Sequence, residues 1–167
     1  MKSNHVRKHH NLAGEHPLAD IGQILLFFAF NFAVVLDIFI LKYSGKIIGK
    51  QPGRIAHILF LLFFAIGGYF VFTSHKIIYI LKNSEKENEI ATDGVFTIVR
   101  HPLYFGSILI FFGFVVLSYS VLAFLVWLVI CFFYYFITIY EEKLLIRRYG
   151  EKYKEYQKRV PMLIPFL

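Results

Sequence analysis

The chain has 167 residues, of which 57% are apolar and 19% aromatic, including 20 Phe, and its formal net charge is +7. Soluble domains average roughly 45–50% apolar, so this composition excludes a water-soluble globular domain and points to an integral membrane protein. The positive charge then answers to anionic lipid headgroups rather than to nucleic acid, and a single cysteine, Cys131, excludes an intrachain disulfide and a cysteine-rich metal site.

Residues 1–17 are polar, with His5, His9, His10 and His16 beside Arg7 and Lys8. A His-rich tract can bind metal, but nothing in this spacing fixes a coordination geometry, so the expectation is a solvated tail and no metal site. A cleavable signal peptide is not expected, because the first apolar run is long and lacks a small-residue cleavage pattern. Residues 21–41 form the first span, close to the ~20 residues that cross ~30 Å of hydrocarbon. It carries Asn31 and Asp37. A carboxylate at the centre of a span costs roughly 2.5–3.5 kcal/mol on insertion scales, so Asp37, near the end, is expected to reach the interface beside Lys42.

Residues 43–54 read as a short loop with Gly45, Gly49, Pro52 and Gly53. Residues 55–72 form the second span, in which Gly67-Gly68 permits close helix approach. Apolar character continues to Leu81, so this helix is expected to run past the bilayer. Residues 82–99 are a polar loop in which Thr92-Asp93-Gly94 reads as a turn. Next comes Arg100-His101-Pro102-Leu103-Tyr104-Phe105-Gly106. Proline suits the first turn of a helix, where its missing N–H costs nothing, so a helix starts near Pro102. Its N-terminus presents N–H groups and partial positive charge, a seat for anionic parts of a ligand.

Residues 103–117 and 121–139 are apolar runs separated by Ser118-Tyr119-Ser120. They predict a tight helical hairpin, with Gly106 and Gly113 on one face for close packing. Residues 141–159 are charged, yet Leu145, Tyr149, Tyr153, Tyr156 and Val160 recur at steps of three and four. That stripe predicts an amphipathic helix lying on the membrane surface, broken at Gly150. The whole reads as an all-α integral membrane protein of about four transmembrane helices, including a C-terminal hairpin, plus the surface helix. Its divisions are a polar tail (1–20), two transmembrane helices (21–81) and a C-terminal core (82–167). Of the 18 Lys and Arg, only Lys42, Lys46, Lys50 and Arg54 fall on the side opposite the termini. This bias predicts that both termini and the Arg100 segment are cytoplasmic.

That topology brings His101 and Glu141-Glu142 to one face. Two acids at a helix C-terminus oppose the dipole, which favours cations there. A His, an aromatic ring, helix N–H groups and a carboxylate together can hold a zwitterionic, adenine-bearing ligand. The segments Thr92-Asp93-Gly94-Val95-Phe96, Arg100 through Gly106, Glu141-Glu142, Tyr149-Gly150-Glu151-Lys152-Tyr153, Lys158-Arg159-Val160-Pro161 and Pro165-Phe166 resemble the isoprenylcysteine carboxyl methyltransferase family, related to membrane phospholipid methyltransferases. The resemblance covers roughly residues 88–167; residues 1–80 are similar only as membrane helices.

The resemblance implies methyl transfer from S-adenosylmethionine to a membrane-embedded lipidic substrate, either isoprenylcysteine carboxylate-like or a lipid headgroup. It implies that His101, Pro102, Leu103 and Tyr104 line the cofactor pocket, that Phe96 is an aromatic contact, that Glu89, Ile90 and Ala91 wrap the cofactor, and that Glu141 holds it. Glu142 and Arg159 are the candidate catalytic residues, and Tyr140 and His101 are further candidate bases. The family places an Arg one turn before the acid pair, where this chain has Ile137. A carboxylate substrate would lose a charge-assisted bond of roughly 1.5–3 kcal/mol unless Arg159 or Arg148 replaced it, so an amine, a hydroxyl or another lipid nucleophile is also a candidate acceptor. Two other readings stay open: a non-catalytic lipid- or sterol-binding protein on the same scaffold, and a small transporter. The transporter is disfavoured because polar residues such as Asn31 and Asp37 are few within the long spans, too few for a substrate path.

Overall fold

The structure, a computed structural model, describes residues 17–48, 52–83 and 89–165. The polar tail up to residue 16 and the middle of the polar loop (84–88) lie outside them. The described residues form α1 (Pro17–Val35), which continues as a π-helical segment (Leu36–Leu41), then α2 (Tyr43–Ile48), α3 (Arg54–Lys82), a 3₁₀ turn (Gly94–Thr97), α4 (Pro102–Ser118), α5 (Val121–Tyr149) and α6 (Glu151–Arg159). Three helical stretches, Ile21–Leu41, α3 and α5, are long and apolar enough to cross a membrane. α4 is the shorter apolar helix; at 1.5 Å per residue its length is about 25 Å. The protein is therefore an all-α integral membrane protein. Large apolar side chains such as Phe28, Phe32, Phe39, Phe72, Phe132 and Phe136 point outward, as a hydrocarbon solvent allows.

Packing between the helices follows the small residues. A Cβ on Gly67 of α3 would stand 2.6 Å from the carbonyl oxygen of Gly106 on α4, and a Cβ on Gly106 would stand 2.6 Å from that of Gly67. Backbones meet there with no room for a methyl group. Gly113 continues the seam against Phe60 and Phe63, while Gly68 has open space around it and takes no part. On the other side α1 lies along α5, where Phe30, Ala123, Ile130 and Tyr134 are buried in one cluster with Tyr104 and Val115 of α4. The Trp127 indole of α5 donates to the Ile108 carbonyl of α4 at 3.1 Å, which ties the hairpin together.

The hairpin turn is short because Tyr119 takes a left-handed conformation (φ 52°) and Ser120 immediately caps α5. Here the structure corrects the expectation for Asp37. It does not reach the interface: it is 0% exposed and accepts hydrogen bonds from Ser44 N (3.0 Å), Ser44 Oγ (2.5 Å) and Ser120 Oγ (2.6 Å). The Leu122 N–H also points to it at 3.3 Å. Ser120 N donates to Ser118 Oγ, Val121 N to Ser44 Oγ and Ala123 N to Ser120 Oγ. So all four N–H groups that a helix start leaves unsatisfied have acceptors, and Asp37 supplies a negative charge at the positive end of α5. The left-handed Lys42 (φ 51°) follows the π-helical segment and turns the chain so that Ser44 comes back onto Asp37. Asn31, also polar and within the span, donates to the Phe27 carbonyl of its own helix at 2.8 Å.

Asp37→Ala strips two hydroxyls and two backbone amides of their acceptor. At roughly 1–3 kcal/mol for a buried unsatisfied group, it is expected to cost about 2–3 kcal/mol. Asn31→Ala is expected to change stability by less than about 0.5 kcal/mol. Thermal unfolding of both variants in detergent micelles checks the contrast.

Candidate active site

The polar loop returns to the bundle through a buried cluster. Val95, Phe96 and Val99 pack on Phe70 of α3, with Ile77, Ile78, Ala91 and Phe105 around them. Gly94 (φ +59°) opens the 3₁₀ turn, and its open side faces Ile77 so closely that a Cβ would lie 3.1 Å from that side chain. The loop thus delivers Arg100 and His101 to the start of α4, where Pro102 occupies the first turn as the sequence predicts. The C-terminal segment straps this junction from outside. Arg100 N donates to the Pro161 carbonyl at 2.9 Å and His101 N to the Met162 carbonyl at 3.1 Å.

α5 ends at Tyr149, Gly150 (φ 59°) turns the chain, and α6 folds back. The aromatic stripe of α6 is covered by protein rather than lipid. Tyr153, Tyr156 and Val160 are buried against Ile90, Leu145, Ile146 and Tyr149. α6 is still a surface helix, but the face read as membrane-binding roofs a cleft at the end of the bundle. The sequence signal for this was the residue type. Buried tyrosines need partners for their hydroxyls, and these have them: Tyr156 donates to the Phe96 carbonyl at 2.6 Å and Tyr153 to Glu142 at 3.2 Å. Burial raises the pKa of both phenols well above 10, with the Glu142 charge adding to the shift at Tyr153, so both remain donors.

The cleft encloses about 980 Å³ of empty space, its open mouth included. Its walls are Ile78, Leu81 and Lys82 of α3, Glu89, Ile90, Ala91 and Phe96 of the loop, Arg100 through Tyr104, then Glu141, Leu145 and Tyr149 of α5, and Tyr153 and Tyr156 of α6. All nine residues expected around a cofactor (Glu89, Ile90, Ala91, Phe96, His101, Pro102, Leu103, Tyr104 and Glu141) lie in this one lining. Tyr104 donates to Glu141 Oε1 at 2.5 Å. Its ring lies between those of His101 and Tyr134, with centroids at 6.0 and 4.9 Å and planes within 22°.

Three candidates are elsewhere, Glu142, Arg159 and the candidate base Tyr140, which is exposed on α5. Glu142 stands outside the lining, 7% exposed. It is held by Arg100 Nε at 2.6 Å and Nη2 at 2.9 Å and by the Gln157 side-chain amide. Arg159 is exposed on α6, away from the cleft. The rest of the lining, from α3, Arg100, Leu145 and the tyrosines of α5 and α6, was not among the residues expected around a cofactor.

His101 lies between the two acids, its Nδ1 3.4 Å from Glu141 Oε2 and its Nε2 3.2 Å from Glu142 Oε1. Burial opposes a charge on the ring, but the hydrogen bonds and charges of Glu141 and Glu142 outweigh it and raise the pKa above 6.5.

An integral membrane bundle with a partly apolar cleft at one end, floored by a histidine between two acids, defines the class of protein. A family model described as phospholipid methyltransferase matches residues 55–152, more than half of the chain. The chain belongs to that family, as the resemblance of its C-terminal half to the isoprenylcysteine carboxyl methyltransferases indicates. It is 34% identical over 137 residues to a methanethiol S-methyltransferase of Crocosphaera subtropica, covering 74% of this chain and 52% of that protein. It is 32% identical over 84 residues to protein-S-isoprenylcysteine O-methyltransferase B of Arabidopsis thaliana, covering 50% and 43%. It is 40% identical over 74 residues to a methanethiol S-methyltransferase of Pseudomonas deceptionensis, covering 44% and 27%. The chain thus spans about half or less of the length of these relatives. No solved structure matches it.

A raised native pKa means that the folded protein binds the His101 proton more tightly than the unfolded chain does. The resulting stabilisation is present in full below pH 6.5 and is lost as pH rises through the native value. The stability difference between the wild type and His101→Asn is therefore expected to be widest just below pH 6.5 and to narrow on the alkaline side, as read by unfolding in detergent micelles at a series of pH values.

Proposed function

We propose that this chain is an S-adenosylmethionine-dependent membrane methyltransferase whose acceptor is a neutral nucleophile soluble in the bilayer, a thiol before others. The observation that carries this reading is the convergence of three separated segments, Glu89–Ala91 with Phe96, His101–Tyr104 and Glu141, on a single cleft. The residues fit the cofactor. The Glu141 carboxylate suits its ammonium or ribose hydroxyls, the N-terminus of α4 suits its carboxylate, and Ile78, Leu81, Ile90, Ala91 and Phe96 suit adenine. When bound, the cofactor supplies an electrophilic methyl group on a sulfonium. In-line displacement of that kind disperses charge, so the chain's own part is to orient the reactants and exclude water. By the Lys and Arg count the cleft faces the cytoplasm, with the cofactor arriving from water and the acceptor from lipid.

The acceptor follows from where the cations are. Arg100 gives four of its five N–H donors to Glu142 and to the Gln157 and Val160 carbonyls, and His101 is already flanked by Glu141 and Glu142. Ile137, at the position of the family's arginine, packs partly buried against the cluster of α1, α4 and α5. Arg159 is outside the lining, and Lys82, which is in it, is exposed to water at the end of α3, where charge pairs contribute little. A carboxylate moving from lipid into this cleft would be poorly compensated. A thiol is neutral and needs no cation to enter; as its sulfur takes the methyl group and the sulfonium C–S bond breaks, its proton would pass to a carboxylate of the lining, Glu141 or Glu89. The Crocosphaera and Pseudomonas relatives, named for methanethiol, support that choice.

Because Glu141 and His101 are buried, near-isosteric replacements keep the packing. Glu141→Gln and His101→Asn are each expected to weaken S-adenosylmethionine binding by about 10- to 100-fold, the worth of a charge-assisted hydrogen bond. Unchanged affinity in both, measured by calorimetry, overturns the site. With labelled S-adenosylmethionine, methanethiol is expected to be methylated and a farnesylated cysteine poorly so, while Ile137→Arg is expected to raise the second activity. Efficient methylation of the prenylcysteine by the wild type overturns the assignment of the acceptor.

A further inference from the structure

Both ring nitrogens of His101 face carboxylate oxygens, Nδ1 toward Glu141 at 3.4 Å and Nε2 toward Glu142 at 3.2 Å. An ionised carboxylate only accepts, whereas a neutral imidazole has one donor and one acceptor nitrogen. A neutral ring would therefore set a lone pair against a carboxylate on one side, in a place 7% exposed. Both contacts are satisfied only when both nitrogens carry protons.

The two acids differ in what else holds them. Glu142 takes two donors from Arg100, one from Tyr153 and one from the Gln157 amide. Every neighbour is a donor, so the carboxylate is fixed and aimed at Nε2. Glu141 lines the cleft and takes the Tyr104 hydroxyl. The charged and titratable groups about the ring are thus Glu141 and Glu142 from α5, Arg100 and Tyr104 from its own segment and Tyr153 from α6, with Lys82 and Glu89 elsewhere in the cleft wall.

We propose that Glu142 is a positioning residue: anchored by Arg100, it holds His101 as a doubly protonated ring against Glu141 and so fixes the charge and orientation of the cleft floor. The floor then presents the Glu141 carboxylate with its orientation fixed by the imidazolium behind it, a match for the ammonium end of a ligand. Only this last step rests on the cofactor reading above.

The test is a pH titration of the full chain, labelled with ¹⁵N-histidine, in detergent micelles, with the His101 signals identified by their loss in His101→Asn. In the wild type both His101 nitrogens are expected to stay protonated above pH 6.5. In Glu142→Gln the ring is expected to lose a proton at a pH lower by roughly one unit or more, and in Glu142→Asp, which keeps the charge, most of that loss is recovered. Calorimetry with S-adenosylmethionine is expected to show Glu142→Gln weakest relative to wild type at high pH and close to it at low pH. A change in packing alone would not give that convergence. A wild-type His101 that titrates at or below pH 6.5 overturns the proposal, as does a titration that Glu142→Gln and Glu142→Asp leave unmoved. If Glu142→Gln does not fold, the wild-type titration still decides it, since a His101 that titrates at or below pH 6.5 overturns the proposal and one that stays protonated above it upholds it. The titration contains no cofactor, so a normal titration with no cofactor binding at any pH sinks the functional reading and leaves this one standing.

Discussion

Arg100 and Glu142 meet across 42 residues of sequence, and the geometry of the cleft depends on that meeting. The guanidinium binds the carboxylate through two nitrogens and reaches the Gln157 and Val160 carbonyls with a third. One side chain therefore joins the start of α4, the end of α5, α6 and the strap behind it. A buried ion pair contributes little net stability when its desolvation is counted, but removing one partner typically costs about 3–5 kcal/mol. The pair acts here as a constraint on register. With it in place α6 must lie over the cleft, and the tyrosines of its inner face reach Phe96 and Glu142.

Adjacent carboxylates with different tasks are a consequence of helix geometry. Successive residues on a helix are turned by about 100°, so Glu141 and Glu142 share His101, which lies between them, but otherwise face different neighbours. Glu142 faces the Arg100 side and is enclosed by donors, while Glu141 faces Tyr104 and the cleft. The pairing of acids at a helix C-terminus stood out in the sequence as a cost to the dipole. In the structure α5 continues to Tyr149, so the two acids lie about two turns before its end, where the dipole cost has faded, and their charge is held by Arg100 on one residue and by His101 between the two.

Much of the fold could be read from residue patterns. The apolar runs, Pro102 at the start of α4, the Ser118-Tyr119-Ser120 turn and the Gly106 and Gly113 seam rest on local rules and recur in the structure. The nine residues around the cleft came from the resemblance of segments, and the fold gathers them in one lining. What stayed hidden shares one physical origin. Periodicity identifies an apolar face but not what covers it, so the stripe from Leu145 to Val160 gave no sign that Ile90 and the end of α5, rather than lipid, lie against it. Asp37 looked like an interfacial charge because its partner Ser120 is 83 residues away. Arg159 and Glu142 were candidates by charge and position alone, and the direction each side chain takes from its helix set them apart from the cleft.

The Asp37 cluster has a consequence for how the molecule sits in lipid. α5 is gripped at its start by Asp37 and Ser44 and near its other end by Arg100 and Gln157. At 1.5 Å per residue its 29 residues span about 43 Å, well beyond the ~30 Å of hydrocarbon. Both grips resist movement along the helix axis, so α5 cannot slide like a piston when the bilayer thins or thickens. Mismatch has to be taken up by tilting the bundle as a whole or by deforming the lipid around it, and the distance between the two membrane faces of α5 stays constant from one membrane to another.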